Sequence, residues 1–194
     1  MTKILQCVSP IDGSVYLERE TLAPGAAFSA VARARAAQSD WATRPLQERV
    51  DLCLKAVAEV GQAVDRMAIE LAHQMGRPVR YGGEFGGFEE RALYMGKIAA
   101  SSLESLVVEE SSSFRRLIKR EPHGVIFVVA PWNYPYLIAV NALVPGLIAG
   151  NAVILKHATQ TLQVGERLAE ASTRWEFPKM FSRMFTLIMK PPLS

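Results

Sequence analysis

Two β-branched runs limit the architecture of this chain more than any other feature. Gly124 to Ala130 reads GVIFVVA, and Ala152 to Lys156 reads AVILK. Neither alternates polar with apolar residues, so each is expected to be a strand covered on both faces, as in a parallel sheet. Between them, Tyr136 to Ala149 forms an apolar helical pattern followed by Gly150, a C-terminal stop. Thr161 to Ala171 begins another helix. Strand, helix, strand and helix joined by short connections make a βαβ unit. The fold class is therefore α/β.

The preceding residues are mostly helical. Ile4 to Val8 and Ser14 to Glu18 flank the turn sequence PIDG and predict a hairpin. Pro24 to Ala37 is Ala-rich, with Phe28, Val31 and Ala32 expected on one face, and Trp41 follows. Pro45 opens a helix carrying Val50, Leu54 and Val57 at helical spacing. A further helix runs from about Gly61 to Met75 and stops at Gly76 and Pro78. Glu84 to Leu106 is a long helical pattern in which Phe85, Phe88 and Tyr94 pack on the helix face. Ser113 to Glu121 alternates like an exposed edge strand.

Composition excludes several classes. Of 194 residues, 49% are hydrophobic and 21% charged, as in ordinary globular proteins, and the net charge of +3 comes from interleaved acids and bases. Nucleic acid is not an expected partner, because the only basic cluster is FRRLIKR, Phe114 to Arg120, on the alternating strand. Two cysteines (Cys7, Cys53) and three histidines (His73, His123, His157) are scattered without metal-ligand spacing, so no metal is expected. Glu70, His73 and His123 are read as packing or surface residues. The longest apolar stretch, Tyr136 to Ile148, is broken by Asn141, Pro145 and Gly146 and is shorter than the ~20 residues a bilayer span takes. No signal-peptide pattern opens the chain. The expectation is a cytoplasmic protein with reduced thiols and no membrane partner.

Ligands of open parallel sheets bind outside the carboxyl ends of the strands. Asn133 lies just past the end of the first strand and Lys156 at the end of the second, so an amide donor and a cation face one crevice. An amide suits a developing oxyanion, and a lysine suits ribose hydroxyls or a phosphate. Each has an ordinary alternative: Asn133 as a helix cap, Lys156 as a solvated strand end, Trp132 as packing for the turn. No GxGxxG sequence is present.

These residues carry a resemblance. PWNYP after an apolar strand, then a helix, then GNAVILK, is similar to the aldehyde dehydrogenase family. SPIDG near the start, ELAHQMGRPV (Glu70 to Val79) and REPHGVIFVVAPWN extend the similarity over roughly Ile4 to Thr173. The resemblance implies oxidation of a small aldehyde to its acid with NAD or NADP. A cysteine thiolate attacks the aldehyde, hydride passes to the nicotinamide, and a glutamate activates the water that releases the acid. It further implies that Asn133 is the oxyanion donor, that Val129, Ala130, Pro131 and Trp132 line the cofactor side, and that Lys156 contacts the adenosine ribose or its phosphate. Residues 113–121 then belong to an oligomerisation strand, and a homo-oligomer is expected of the parent enzyme.

Two departures qualify the pattern. Many family members follow the lysine with Pro, a small residue and Glu, whereas here the sequence is Lys156, His157, Ala158, Thr159. Thr159 removes the carboxylate that receives ribose hydroxyls, so a 2′-phosphate meets less repulsion and NADP becomes acceptable beside NAD. The other departure is that the family's cysteine, its glutamate and its second glycine-bearing segment have no counterpart in these residues. Residues 1–174 are expected to be the N-terminal part of the cofactor-binding domain, with a truncated Rossmann-type sheet. Synonymous codons for Trp175 to Ser194, read from the third nucleotide, can encode GVPEDVFQDVYLNHETTAL, which is similar to a family continuation. Residues 175–194 are therefore expected to be an aberrant, frameshifted tail, and the chain inactive alone. Two alternatives stand beside this. The chain could be a non-catalytic module pairing with a full-length relative. The tail could be a genuine amphipathic helix, with Met180, Met184 and Ile188 on one face.

Overall fold

The computed structural model describes residues 3–173. The expected tail, 175–194, lies outside them. Strands β1 (Ile4–Val8) and β2 (Val15–Glu20) form the expected antiparallel hairpin, bulged between Cys7 and Val8. Four helices follow: α1 (Pro24–Thr43), α2 (Leu46–Gly61), α3 (Val64–Met75) and α4 (Phe85–Leu103). A second hairpin, β3 (Leu106–Glu110) with β4 (Arg115–Ile118), precedes the βαβ unit of β5 (Val125–Ala130), α5 (Pro135–Ile148) and β6 (Ala152–His157). The last described helix is α6 (Leu162–Thr173). β5 and β6 are parallel and in register from Val125 opposite Ala152 to Ala130 opposite His157. The architecture is α/β: a helical N-terminal region packed on a partial Rossmann-type sheet.

The main core is where α2, α4 and α5 meet the sheet. It contains Trp41, Val57, Phe88, Tyr136, Leu143, Val153 and Leu155. Gly146 lets α5 lie close on the sheet, since a Cβ there would stand 3.3 Å from Ile126 and 3.4 Å from Val153. Gly150, at φ 89°, turns the chain sharply into β6. The carbonyls at the end of α5 are received by distant side chains: Trp41 Nε1 donates to Leu147 at 2.8 Å, Arg49 Nε to Ile148 at 2.9 Å and Gln38 Nε2 to Gly150 at 3.0 Å. A buried ion pair of Arg167 with Glu70, at 2.8 Å, ties α6 to α3.

Several expectations need correction. The α1 face is wrong: Phe28 and Val31 are exposed, and Ala30, Ala34 and Trp41 point inward. Small side chains allow close helix approach, so burial does not follow residue size there. The α4 pattern ends at Leu103, and Leu106 begins β3, which pairs with β4. Finally, β5 is not covered on both faces, because Phe127 is 48% and Val129 61% exposed. The face toward α5 is packed, and on the other face Val125 packs on the core, whereas Phe127 and Val129 are left open among the described residues. Phe85 and Phe88 do pack, whereas Tyr94 is exposed.

Candidate functional site

The register of β5 and β6 builds the candidate site. Val129 lies opposite Lys156, so both side chains leave the sheet on the same open face. Ala130 lies opposite His157, and both are buried on the other face. The amide of Ala158 donates to the carbonyl of Ala130 at 3.1 Å, which holds the two strand ends level. Beyond them, Pro131 is half-buried, and Trp132 and Asn133 are exposed on the turn into α5. Lys156 is half-buried, and Thr159 is exposed at the start of a short 3₁₀ turn, Thr159–Thr161. All seven residues singled out from the sequence thus gather at one edge of the sheet. The open face offers an apolar shelf of Phe127 and Val129 with Lys156 beside it, and Trp132 is exposed on the turn that follows.

The ordinary alternatives fare differently. The cap position of α5 is Tyr134, and neither its side chain nor that of Asn133 bonds a first-turn amide, so Asn133 is not a helix cap. Trp132 is 53% exposed and therefore does not serve mainly to pack the turn. Lys156 makes no ion pair among the described residues.

Two residues that the sequence did not single out reach this turn. Both come from the connection between α3 and α4. Arg77 Nη2 donates to the Asn133 carbonyl at 2.8 Å, and the Arg77 guanidinium lies 5.0 Å from the centre of the Tyr134 ring. Glu84 Oε1 pairs with Arg77 Nη1, and Glu84 Oε2 accepts from the Leu137 amide at 2.8 Å. The side chains are only 13% and 5% exposed. Their distance from the turn in sequence left no local signal.

No thiol faces the crevice. Cys53 is buried on α2, and burial pushes its thiol up to about 12. Cys7 is buried in the first hairpin; its thiol, also raised by burial, donates to the Gln160 carbonyl at 3.3 Å. His157 is buried with neither ring nitrogen bonded, and burial, followed by the charge of Lys156, lowers it to about 3. Among the described residues, no group of His, Cys, Asp or Glu converges as a metal site, and no helix is long and apolar enough to cross a membrane.

Comparison with known proteins finds relatives of this chain. Residues 2–186 match the sequence pattern described as the aldehyde dehydrogenase family. The N-succinylglutamate 5-semialdehyde dehydrogenase of Novosphingobium aromaticivorans is 31% identical over 157 residues, which are 76% of this chain and 32% of that protein. The 4,4'-diapolycopene aldehyde oxidase of a Methylomonas species is 29% identical over 180 residues, 90% of this chain and 34% of its own length. Among solved structures, PnpE in complex with nicotinamide adenine dinucleotide superposes with a TM-score of 0.85 at 27% identity, covering 92% of this chain and 37% of PnpE. The chain spans about a third of the length of these relatives. Over the part it spans, the hairpin, the helices and the βαβ unit run in the family's order, and the chain belongs to the aldehyde dehydrogenase family.

Proposed function

We propose that these residues form the N-terminal part of the cofactor-binding domain of an NAD(P)-dependent enzyme that oxidises a small aldehyde to its acid. The observation that carries this reading is the strand register, which brings Asn133, Lys156 and Thr159 to one edge beside an exposed apolar shelf. In this reading the Asn133 amide donates to the oxygen that gains charge when the aldehyde carbon is attacked. Val129, Ala130, Pro131 and Trp132 line the cofactor side. Lys156 receives the ribose or its phosphate, and Thr159, lacking charge, admits NADP as well as NAD. The residues present fit half of such a site: a flat apolar surface for a ring and a cation for a phosphate. The bound nicotinamide would supply the hydride acceptor.

The 194-residue chain does not turn over alone in this reading. Its two cysteines are buried and held protonated, so no thiolate can attack. Purified chain should give no NADH or NADPH from any aldehyde, and a measurable rate would overturn this. A cytoplasmic setting fits the two unpaired thiols. Residues 175–194 are read as a frameshifted tail. The family match nevertheless reaches residue 186, so the test belongs on the DNA. Another frame continuing into a cysteine and a glutamate segment supports the reading, and its absence overturns it.

A second reading rests on the β3–β4 hairpin. Every residue of both strands is exposed, including Leu106, Val108 and Ile118 at 56%, 59% and 57%. Such a ribbon suits pairing with another copy or with a full-length relative. Co-purification with that relative, lost on Ile118→Lys, is the expected result for a non-catalytic module; co-purification that survives the change argues against this surface.

A further inference from the structure

We propose that Arg77 and Glu84 form a positioning clamp that sets the direction of the Asn133 amide. The inference rests on the oxyanion role assigned to Asn133 above. The first turn of a helix leaves its amides without intrahelical partners, and α5 has no capping side chain of its own. Glu84 fills that gap from another element by accepting from the Leu137 amide, and its negative charge at the helix N-terminus is favourable there. Its other oxygen holds Arg77, which donates in turn to the Asn133 carbonyl. The turn is thus gripped on both sides of Tyr134, whose ring lies beside the guanidinium. Asn133 is exposed, and the grip on its carbonyl fixes the backbone from which its side chain projects.

The arrangement uses two separate nitrogens of one guanidinium, one on Glu84 and one on the Asn133 carbonyl. Arginine can serve a carboxylate and a carbonyl together through separate nitrogens, whereas lysine presents a compact point charge. Arg77→Lys should therefore keep the ion pair with Glu84 and lose the hold on Asn133. Arg77→Met should lose both.

The test uses the 194-residue chain and reads the turn directly by NMR, through the Leu137 amide exchange rate, the Asn133 side-chain amide resonances and the Trp132 indole resonance. Arg77→Met is expected to speed Leu137 exchange about tenfold or more and to move the Asn133 and Trp132 signals. Arg77→Lys is expected to leave Leu137 protected while the Asn133 signals still move. Glu84→Gln, which keeps an acceptor but removes the charge, should give an intermediate exchange rate. A surface control on the β3–β4 hairpin, Arg115→Met, should change none of these signals.

The clamp is overturned if Arg77→Met lowers the melting temperature while the Asn133 and Trp132 signals stay in place, because the pair is then only structural. It is equally overturned if Arg77→Lys restores every signal, because a point charge then suffices. If Arg77→Met does not fold, the lysine and glutamine variants decide alone. An NAD or NADP titration of the same samples tests the functional reading separately. Absence of cofactor binding counts against that reading and leaves the resonance result standing.

Discussion

β5 and β6 lie side by side, have similar compositions and are enclosed to different degrees. In β6, Ala152, Val153, Ile154, Leu155 and His157 are all buried. In β5, Phe127 and Val129 stand on an open face, and β6 is the only strand beside it among the described residues. α1, α5 and α6 all touch β6. The contrast teaches that a β-branched run announces a strand, whereas its enclosure is decided by distant segments.

Substitution should separate the two strands most clearly. Leu155→Ala is expected to cost about 2–5 kcal/mol, because the side chain is 1% exposed and leaves a cavity. Val129→Ala should cost less than about 1 kcal/mol. Denaturant midpoints measure both, and equal losses would dissolve the distinction.

Acid should expose the enclosure of β6 next. Folded His157 is held near 3, while an unfolded histidine titrates at 6.5. The unfolded chain therefore binds a proton that the folded one refuses. The stability contributed is complete above 6.5 and declines as pH falls from there toward 3, at up to about 1.4 kcal/mol per pH unit. His157→Leu should flatten that slope, and parallel acid titrations of the two proteins would contradict it.

The open face of β5 predicts a change in solubility more than in stability. Phe127→Ser with Val129→Thr should raise the soluble concentration of the chain, with a stability change of about 1 kcal/mol or less. Static light scattering at matched concentrations tells whether the shelf drives association. The smallest effect is expected at the exposed β3–β4 hairpin, where Arg116 and Glu109 pair at 3.3 Å in solvent. Arg116→Ala should change stability by about 0.5 kcal/mol or less, read as a shift in melting temperature.

The parts legible in the sequence were those with local causes. Both strands of the βαβ unit, the stop at Gly150 and the end of α3 at Gly76 each follow from a few adjacent residues. The gathering of Asn133 and Lys156 followed from one general rule about parallel strands. The inner face of α1 did not follow, because alanines made the contact while the larger Phe28 stayed in water. β3 was hidden because its apolar residues continue the α4 pattern without an obvious break. Arg77 and Glu84 reach partners 56 and 53 residues away, a separation no periodicity records.

The capping of the α5 carbonyls bears on the order in which the protein assembles. Trp41, Arg49 and Gln38 lie 106, 99 and 112 residues ahead of the groups they bond. A ribosome delivers these donors first; Arg49 has local acceptors in the Ala42 and Arg44 carbonyls, but the α5 carbonyls that all three bond emerge only later. Contacts of such long sequence separation form late. The docking of α1 and α2 onto the end of α5 therefore waits on the arrival of a segment made about a hundred residues later.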